Sequence, residues 1–241
     1  MIDSPNNRHL KDLRKLRTAH GRAKSGPPRR FVAEGEDLVA AAQAAGWTAL
    51  ERYVAAGSGL EGTAVDPELL AGASSLGSGT RVLAVYEERW GAPAGPRCVY
   101  LHGVADPGNV GTILRSALAF GAASVVLGPG TADPFGPKAV RASMGAVFAV
   151  PVARVTETDP RALLSTLPGR AVALAARAGE PLAGPLEGEA TILVGAERDG
   201  LPAELIAAAD ETRHIPIAAE SLNAAMAATV ALYEISRVRP A

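Results

Sequence analysis

Short apolar runs alternate with segments of helical periodicity through the second half of the chain. The apolar runs predict β-strands at 98–104, 124–128, 147–152, 171–176, 191–195 and 213–217. The segments between them predict helices near 109–120, 137–144, 160–167, 202–208 and 221–237. Short apolar strands that alternate with helices are typical of a parallel sheet covered on both faces. The pattern therefore predicts an α/β fold.

The first 90 residues have a different pattern, which begins with an amphipathic helix. Leu10, Leu13 and Leu16 lie at helical spacing after a polar entry at residues 4–7. The segment RAKSGPPRR ends this helix, since paired prolines and a glycine cannot continue it. Strands are predicted at RFVAE, LERYVAAG and TRVLAVYEE, with helices at EDLVAAAQAAG and PELLAG. These elements predict a second, smaller α/β domain.

The segment RWGAPAGPR, residues 89–97, separates the two patterns. Its glycines and prolines are typical of a linker. We therefore expect an N-terminal domain over 1–92 and a C-terminal domain over 97–241.

Composition excludes several classes of protein. The 241 residues are 48% hydrophobic and 20% charged, which excludes a disordered chain and a fibre. No run approaches the roughly 18–20 apolar residues that cross a bilayer, and the N-terminus has no apolar stretch of the kind a signal peptide needs. The one cysteine, Cys98, cannot form an internal disulfide. We expect a soluble, cytoplasmic protein with no membrane partner and no metal site.

Charge is distributed unevenly, although the net charge is only −1. Residues 1–30 hold nine Lys or Arg against Asp3 and Asp12, so this segment is +7 and the remainder is −8. A basic arm of this kind favours nucleic-acid binding, and a solvated helix face is the alternative interpretation. The cations assigned to RNA binding are Arg8, Lys11, Arg14, Lys15, Arg29 and Arg30.

The segment GSGLEG, residues 57–62, matches the G-x-G-x-x-G pattern of dinucleotide-binding proteins. That pattern works only where a helix begins inside it and binds pyrophosphate at its N-terminus. Pro67 falls where such a helix would be established, and residues 77–84 hold no acidic residue for a ribose. We interpret the segment as a surface loop. The alternative hypothesis of a nucleotide-dependent oxidoreductase is supported by this segment alone.

Two later segments place polar side chains and glycines at predicted strand ends, where ligands bind in parallel α/β sheets. In HGVADPGNVGTILRSALAFGA, Asn109 is expected to cap a helix that carries Arg115. In TILVGAERDGLPAEL, Gly195 and Gly200 let the backbone approach a ligand beside Glu197. Taken singly, these features also fit a helix cap, a surface arginine and an ordinary strand–helix connection.

A third segment, HIPIAAESLNAAMAATVALYEISR, begins a long helix at residue 221. Ser221 is expected to cap this helix, and Asn223 lies in its first turn. Asparagine is unfavourable there for helix propensity but natural beside a ligand. The free N–H groups of the helix start suit a polar or anionic group.

Together these segments resemble the three motifs of the SpoU/TrmH family, within the SPOUT class of RNA methyltransferases. The first motif, N-x-G-x-x-x-R, is matched by Asn109, Gly111 and Arg115. The second, G-x-E-x-x-G-L, is matched by Gly195, Glu197, Gly200 and Leu201. The third, I-P-M…S-L-N, is matched by Ile215, Pro216, Ile217, Ser221, Leu222 and Asn223. Three motifs in order are more specific than any one of them, and the likeness covers residues 97–238.

The resemblance implies a C-terminal SPOUT domain with a deep trefoil knot, one of the exceptions to unknotted topology. It implies an S-adenosylmethionine site, a homodimer and methyl transfer to a ribose 2′-hydroxyl. The implied cofactor contacts are Gly195, Ile215 and Leu222. The implied catalytic or architectural residues are Asn109, Arg115, Glu197, Ser221 and Asn223. More loosely, the N-terminus resembles the L30e-like RNA-binding domain of rRNA-modifying members.

A ribose hydroxyl is a poor nucleophile, so it needs a base or an electrostatic partner as negative charge develops on it. The resemblance implies that Arg115 activates the hydroxyl. A guanidinium group stays protonated at neutral pH, so we favour Arg115 as the group that orients the RNA phosphate and stabilises the developing alkoxide, and its role in proton transfer stays open. The segment from Ile215 to Ser221 is two residues shorter than the family's I-P-M-x-G-x-x-x-S-L-N and lacks its glycine, and Arg198 stands where the second motif often has glycine.

The leading hypothesis is a 2′-O-ribose methyltransferase that acts on 23S rRNA, because the chain carries an extra N-terminal domain. The same enzyme acting on tRNA, or at an antibiotic-binding rRNA site, is the nearest alternative. A catalytically silent RNA-binding or ribosome-assembly protein with the same fold is an alternative of a different class.

Overall fold

A computed structural model gives the fold of the chain and describes residues 1–77 and 79–237. The helices, in chain order, are α1 (Arg8–Leu16), α2 (Ala19–Ala23), α3 (Glu36–Ala44), α4 (Pro67–Ala73), α5 (Pro107–Ala119), α6 (Pro137–Ala142), α7 (Ala146–Ala149), α8 (Pro160–Ser165), α9 (Ala203–Ala208) and α10 (Ala224–Ser236). The strands are β1 (Arg30–Glu34), β2 (Glu51–Ala55), β3 (Thr63–Val65), β4 (Val82–Glu87), β5 (Arg97–Leu101), β6 (Ser124–Leu127), β7 (Val152–Arg154), β8 (Arg170–Leu174), β9 (Glu180–Pro181), β10 (Ala190–Val194) and β11 (Glu211–His214).

These elements pack into two units. The first unit contains Met1–Arg89 and Pro134–Ala149, and the second contains Trp90–Asp133 and the chain from Val150 onward. The first unit is therefore built from two separate stretches of sequence. The domain limits 1–92 and 97–241 stay a prediction, and residues 238–241 of the second range lie outside the described residues.

The first unit is a four-stranded sheet in the order β1-β4-β2-β3. Strand β4 is antiparallel to both of its neighbours, and β3 lies parallel to β2. Helices α1 and α4 bury leucines against the sheet, including Leu10, Leu13, Leu16 and Leu70. The predicted amphipathic helix and the mixed α/β character of this region are confirmed. The L30e-like character of the unit stays a prediction.

An aromatic cluster on the first unit joins its two stretches of sequence. The ring of Phe31 on β1 contacts the rings of Trp47, Tyr86, Phe135 and Phe148 at centroid distances of 4.9–6.1 Å. The indole Nε1 of Trp47 also donates a hydrogen bond to the backbone oxygen of Phe148, at 2.9 Å. Residues 134–149 are therefore part of the core of this unit.

The second unit is a seven-stranded sheet in the order β7-β6-β5-β10-β8-β11-β9, and all of its pairings are parallel. The predicted parallel α/β sheet is confirmed. The strand order reverses between β5 and β10, and ligands in such sheets bind outside the carboxyl ends of the strands near that point.

Helices cover both faces of the second sheet. On one face, α8 and α9 bury Leu163 and Leu205 against strand residues such as Tyr100. Buried strand residues alternate between the faces, and α10 packs against β10 on the opposite side, next to α5. The hydroxyls of Ser116 on α5 and Thr229 on α10 share a hydrogen bond of 2.6 Å.

One predicted strand was wrong. Residues 147–152 were expected to be extended, but α7 occupies the first part and β7 begins only at Val152. A short apolar run cannot be assigned to strand or buried helix by periodicity alone. Here Val147 and Phe148 are buried in the first unit as a single helical turn. Three short elements, α2, β3 and β9, were not predicted.

The glycine segment 57–62 is a loop between β2 and β3, as predicted. Gly57, Gly59 and Gly62 all have positive φ. Helix α4 begins only at Pro67, where Asp66 caps it. None of the helices within the described residues is long and apolar enough to cross a membrane.

Candidate active site

The loop that follows β10 is a tight turn held by its own backbone. Ala196 and Gly200 exchange two backbone hydrogen bonds, with N···O distances of 3.1 and 3.0 Å. A Cβ on Gly195 would lie 2.1 Å from the carbonyl carbon of Gly200, so only glycine allows the two arms of the turn to approach this closely. The turn holds Glu197 at the carboxyl end of a central strand.

Three side chains from separate parts of the sequence form a chain of hydrogen bonds beside this turn. Nδ2 of Asn109 donates to Oε1 of Glu197. Nδ2 of Asn223 donates to Oδ1 of Asn109, at 3.1 Å. The fold thus brings together one predicted residue from each of the three motifs. Within the described residues, Oε2 of Glu197 accepts no hydrogen bond, so one carboxylate oxygen is available to a ligand.

The start of α5 positions Asn109. The side chain of Asp106 caps this helix, and Pro107 occupies its first position, where a proline loses no hydrogen bond. The prediction that Asn109 caps the helix was wrong, because Asp106 lies three residues earlier and is an equally good cap. Asn109 lies in the first turn, and its side chain is free to bond to Glu197.

Asn223 is the cap of α10. Its Oδ1 accepts hydrogen bonds from the backbone N–H groups of Ala225 and Met226, at 2.9 and 3.3 Å. The prediction that Ser221 caps this helix was wrong, because the chain is still irregular there and the helix begins at Ala224. Asn223 therefore uses its oxygen for the helix and its nitrogen for Asn109.

A cavity of about 160 Å³ lies next to Glu197, at the carboxyl ends of β8, β10 and β11. The predicted site residues that line it are Gly195, Glu197, Ile215, Ser221 and Leu222. Most of the lining is apolar or small, with alanines at 175, 176, 196, 224 and 227. Such a surface suits a flat heterocycle that is also held by backbone polar groups.

One wall of this cavity has no signal in the amino-acid sequence. Leu174, Ala175 and Ala176 follow β8 and line the cavity. Nothing in an Ala-rich run distinguishes a binding loop from the end of a strand. Arg198 also lines the cavity, and the only signal for it was its departure from the family motif.

Arg115 is not joined to the other predicted catalytic residues. It lies six positions after Asn109 on α5, which corresponds to about 9 Å along the axis and about 240° around it. Arg115 is exposed and makes no hydrogen bond or ion pair with any of the residues that the structure describes. It lies on the outer surface of α5, three residues before the exposed Leu118.

The predicted RNA-binding cations lie in the first unit. Arg8, Lys11 and Lys15 are exposed on α1, Arg14 is half-buried, Arg29 is exposed before β1, and Arg30 begins that strand.

A polar cluster joins the two cationic stretches. Nη1 of Arg30 lies 4.0 Å from a carboxylate oxygen of Glu51. The hydroxyl of Tyr53 donates to the same carboxylate and lies 2.8 Å from Nδ1 of His9 on α1. Burial raises the pKa of Tyr53 well above its usual value, and the hydrogen bond to Glu51 adds to this rise.

Comparisons with known proteins agree on one family. The sequence profile of the SpoU rRNA Methylase family matches residues 96–233. The chain is 30% identical to the 23S rRNA (guanosine(2553)-2′-O)-methyltransferase RlmP of Bacillus subtilis, over 97% of this chain and 98% of that protein. It also resembles the AdoMet-bound rRNA methyltransferase of Sinorhizobium meliloti, with a TM-score of 0.84, 30% identity and coverage of 97% and 96% of the two chains. The AdoMet complex of the SpoU methyltransferase AviRb of Streptomyces viridochromogenes has a TM-score of 0.82 and 26% identity, with coverage of 96% and 97%.

Proposed function

The chain belongs to the SpoU rRNA methylase family, and from that premise we propose that it transfers the methyl group of S-adenosylmethionine to a ribose 2′-hydroxyl of 23S rRNA. The observation that carries this proposal is the hydrogen-bonded chain Asn223–Asn109–Glu197 at the mouth of an apolar cavity. A substrate in rRNA places the enzyme in the cytoplasm.

The cavity fits the cofactor. Its apolar surface at Ile215 and Leu222 suits an adenine ring, and its alanines leave room for the ring to approach the backbone. The backbone at Gly195 lines the cavity, and the turn between Ala196 and Gly200 holds it in place. S-adenosylmethionine supplies an electrophilic methyl group on a positively charged sulfur. The carboxylate of Glu197 borders the same cavity and favours a cation there.

The hydrogen-bonded chain positions the acceptor side of the reaction. Asn223 is fixed by its cap on α10, and through Asn109 it fixes the carboxylate of Glu197. The remaining oxygen of Glu197 can accept the hydrogen of a ribose hydroxyl and orient its lone pair. Arg115 stabilises the alkoxide and the adjacent phosphate, for which a guanidinium is suited.

Arg115 fulfils this role from a second copy of the chain. The outer surface of α5 and α10 exposes Leu118, Met226, Val230 and Tyr233, with exposed fractions of 40–58%. Exposed apolar surface of this kind on adjacent helices marks a protein interface. In a twofold dimer both copies use the same surface, so Arg115 beside Leu118 faces the partner rather than its own Glu197.

Mixed dimers test this arrangement. Arg115→Ala and Glu197→Ala each inactivate the homodimer, whereas co-expressed copies recover about a quarter of the wild-type rate, since half of the dimers hold one intact site of two. Recovery shows that the site is shared between copies. If the mixture stays inactive while both variants form dimers by light scattering, Arg115 acts within its own chain.

The basic arm of the first unit binds rRNA through its phosphates. The exposed cations of α1 and Arg30 lie on two elements that both contact the pair Tyr53 and Glu51, α1 through His9. We take these cations as one cationic surface. Such a surface recognises the backbone and shape of folded RNA rather than its bases.

Methyl transfer to rRNA tests the function as a whole. Ribosomal RNA from cells that lack the gene is incubated with the enzyme and radiolabelled S-adenosylmethionine, and ribose methylation is mapped by nucleotide. We expect one new 2′-O-methyl group in 23S rRNA and none with Glu197→Ala. A folded protein that binds rRNA but shows no S-adenosylmethionine binding by calorimetry would instead be a catalytically silent RNA-binding protein.

A further inference from the structure

A second cavity, of about 240 Å³, lies at the same edge of the seven-stranded sheet. His102 and Pro129 enter it directly after β5 and β6, and Glu157 enters after β7. The loop after β10 borders both cavities, since Gly200 lines the cofactor cavity and Pro202 lines the second one. None of the three motifs accounts for this cavity, yet it lies where ligands bind in sheets of this type.

The imidazole of His102 is held in one orientation. Its Nδ1 lies 3.2 Å from the hydroxyl of Tyr100, which is fully buried in the strand below it. Gly128 makes this possible, because a Cβ there would lie 2.1 Å from the same hydroxyl. With Nδ1 facing Tyr100, Nε2 is the ring nitrogen available to a ligand.

The contact with Tyr100 indicates which ring nitrogen of His102 carries a hydrogen. The buried hydroxyl of Tyr100 has no other hydrogen-bond partner among residues 1–77 and 79–237, and only donation to Nδ1 of His102 satisfies its hydrogen, so we assign Tyr100 as the donor. Burial lowers the pKa of His102 below its usual value, which keeps the ring neutral. A neutral ring whose Nδ1 accepts a hydrogen bond carries its hydrogen on Nε2. His102 therefore offers one donor to the cavity.

Carboxylates border the same cavity at Glu157 and Glu204. Oε1 of Glu157 accepts hydrogen bonds from the backbone N–H groups of Thr158 and Asp159, at 2.8 and 2.9 Å, and this fixes the carboxylate at its border. In the described part of the chain, no lysine or arginine lines the cavity. Negative charge without a cation disfavours a phosphate and favours a neutral group that donates hydrogen bonds.

The walls of the cavity are apolar. Pro129, Pro160 and Pro202 line it together with Leu163 and Leu205. Rigid apolar side chains of this kind pack against the face of a flat ring, and an RNA base presents such a face.

We propose that this cavity binds a guanine base of the RNA, close to the nucleotide that is methylated. The guanine O6 accepts the Nε2 hydrogen of His102, and its N1–H and N2–H groups donate to a carboxylate at the rim. Adenine and uracil match this arrangement only in part, because each places one donor beside its acceptor, whereas guanine places both N1–H and N2–H beside O6. The proposal rests on the proposed function only in taking the guanine to come from the RNA substrate.

Saturation-transfer NMR with free nucleosides tests the cavity itself. The protein is saturated with S-adenosylhomocysteine, so that nucleosides cannot enter the cofactor cavity, and guanosine, inosine and adenosine are added in turn. We expect the strongest signal from guanosine and weaker ones from inosine, which lacks the N2 amino group, and from adenosine, which lacks the second donor next to its acceptor. His102→Phe keeps a ring in place but removes the donor, and it should weaken guanosine binding by about tenfold.

Substitutions of the exposed carboxylates test the binding of guanosine without disturbing the buried core. Glu204→Gln and Glu157→Gln lie at exposed positions, and at least one of them should abolish the preference for guanosine over inosine. Glu187→Gln is the matched control, since this carboxylate is exposed and lines neither cavity.

Equal signals from the three nucleosides, or undiminished guanosine binding by His102→Phe, overturn the proposal. Its failure is distinct from failure of the proposed function, because S-adenosylmethionine binding and rRNA methylation are measured separately. An enzyme that methylates rRNA but does not discriminate guanosine refutes only the role of this cavity. A protein that discriminates guanosine but never methylates RNA refutes only the activity.

Discussion

Asn223 holds the start of α10 through its side-chain oxygen and contacts Asn109 through its side-chain nitrogen. The two atoms of one amide thus connect helix stability to the geometry of the site. Sequence alone identified Asn223 and Asn109 as site residues through the motifs. It did not identify the caps, because Asp106 and Ser221 lie within three residues of these asparagines and all four side chains are good caps.

Asn223→Asp separates the two roles. Aspartate also accepts the backbone N–H groups of α10, so the free energy of unfolding should change by less than about 1 kcal/mol. It cannot donate to Asn109, and its charge repels Glu197, so the rate of methyl transfer should fall at least about tenfold. Denaturant unfolding and a methyl-transfer assay measure the two effects. A variant with normal activity would show that the contact with Asn109 is dispensable.

Tyr100→Phe should change the response of stability to alkaline pH. Burial raises the pKa of Tyr100 to about 12 from 10.0, so the unfolded chain loses this proton at lower pH than the folded chain does. The stability that the protonated phenol contributes is complete below pH 10 and is lost as pH rises towards 12, by about 3 kcal/mol in total.

The Tyr100→Phe variant has no phenol to ionise, so it does not show this loss of stability at alkaline pH. It also lacks the hydrogen bond to His102. At pH 8 the Tyr100→Phe variant should be less stable than the wild type by about 1 kcal/mol, and the difference should shrink or reverse above pH 10. Thermal unfolding at a series of pH values measures both. A constant difference from pH 8 to 11.5 would contradict the prediction.

The parallel strands and the long helices could be predicted from the sequence, whereas the short elements could not. Strands β5, β6, β8 and β10 are nearly continuous apolar runs, which the burial of both faces requires. The run at 147–152 has the same composition but forms α7 and β7, because its burial in the first unit depends on distant residues. Only the fold decides between these outcomes.

The turn after β10 should not tolerate a methyl group. Gly195→Ala places its Cβ 2.1 Å from the backbone of Gly200, which must separate the arms of the turn and displace Glu197. We expect S-adenosylmethionine affinity by calorimetry to fall more than about tenfold, as for other overpacked sites.

Gly72→Ala is the control for this substitution. Gly72 lies in α4 and the nearest atom to its Cβ is 3.9 Å away, so alanine there should leave affinity unchanged and stabilise the helix slightly. Normal affinity in Gly195→Ala would show that the turn is not the wall of the cofactor site.

The charge of the protein is divided unevenly along the chain, with a net +7 over residues 1–30 and a net −8 over the rest. The logarithm of RNA affinity should fall linearly with the logarithm of salt concentration, as for any phosphate contact. The Arg8→Gln, Lys11→Gln double variant should reduce this slope by about 1 for each phosphate contact removed.

Arg170→Gln provides the control for salt dependence. Arg170 is a cation of the second unit that is already paired with Glu211, so its loss should leave the slope unchanged. Filter binding of rRNA at several salt concentrations measures both variants. An unchanged slope in the double variant would favour the alternative that α1 is only a solvated helix face.

Pro134–Ala149 completes the first unit, and this has a consequence for how the protein is made. As the chain emerges from the ribosome, residues 1–89 appear first, but the rings of Phe135 and Phe148 that pack on Phe31 do not yet exist. Strands β5 and β6 of the second unit must be synthesised before that core can close. Domains usually fold as units during synthesis, N-terminal first. Here the nascent N-terminal segment cannot complete its core until residues 134–149 have been synthesised, so the aromatic surface of Phe31 stays uncovered until then.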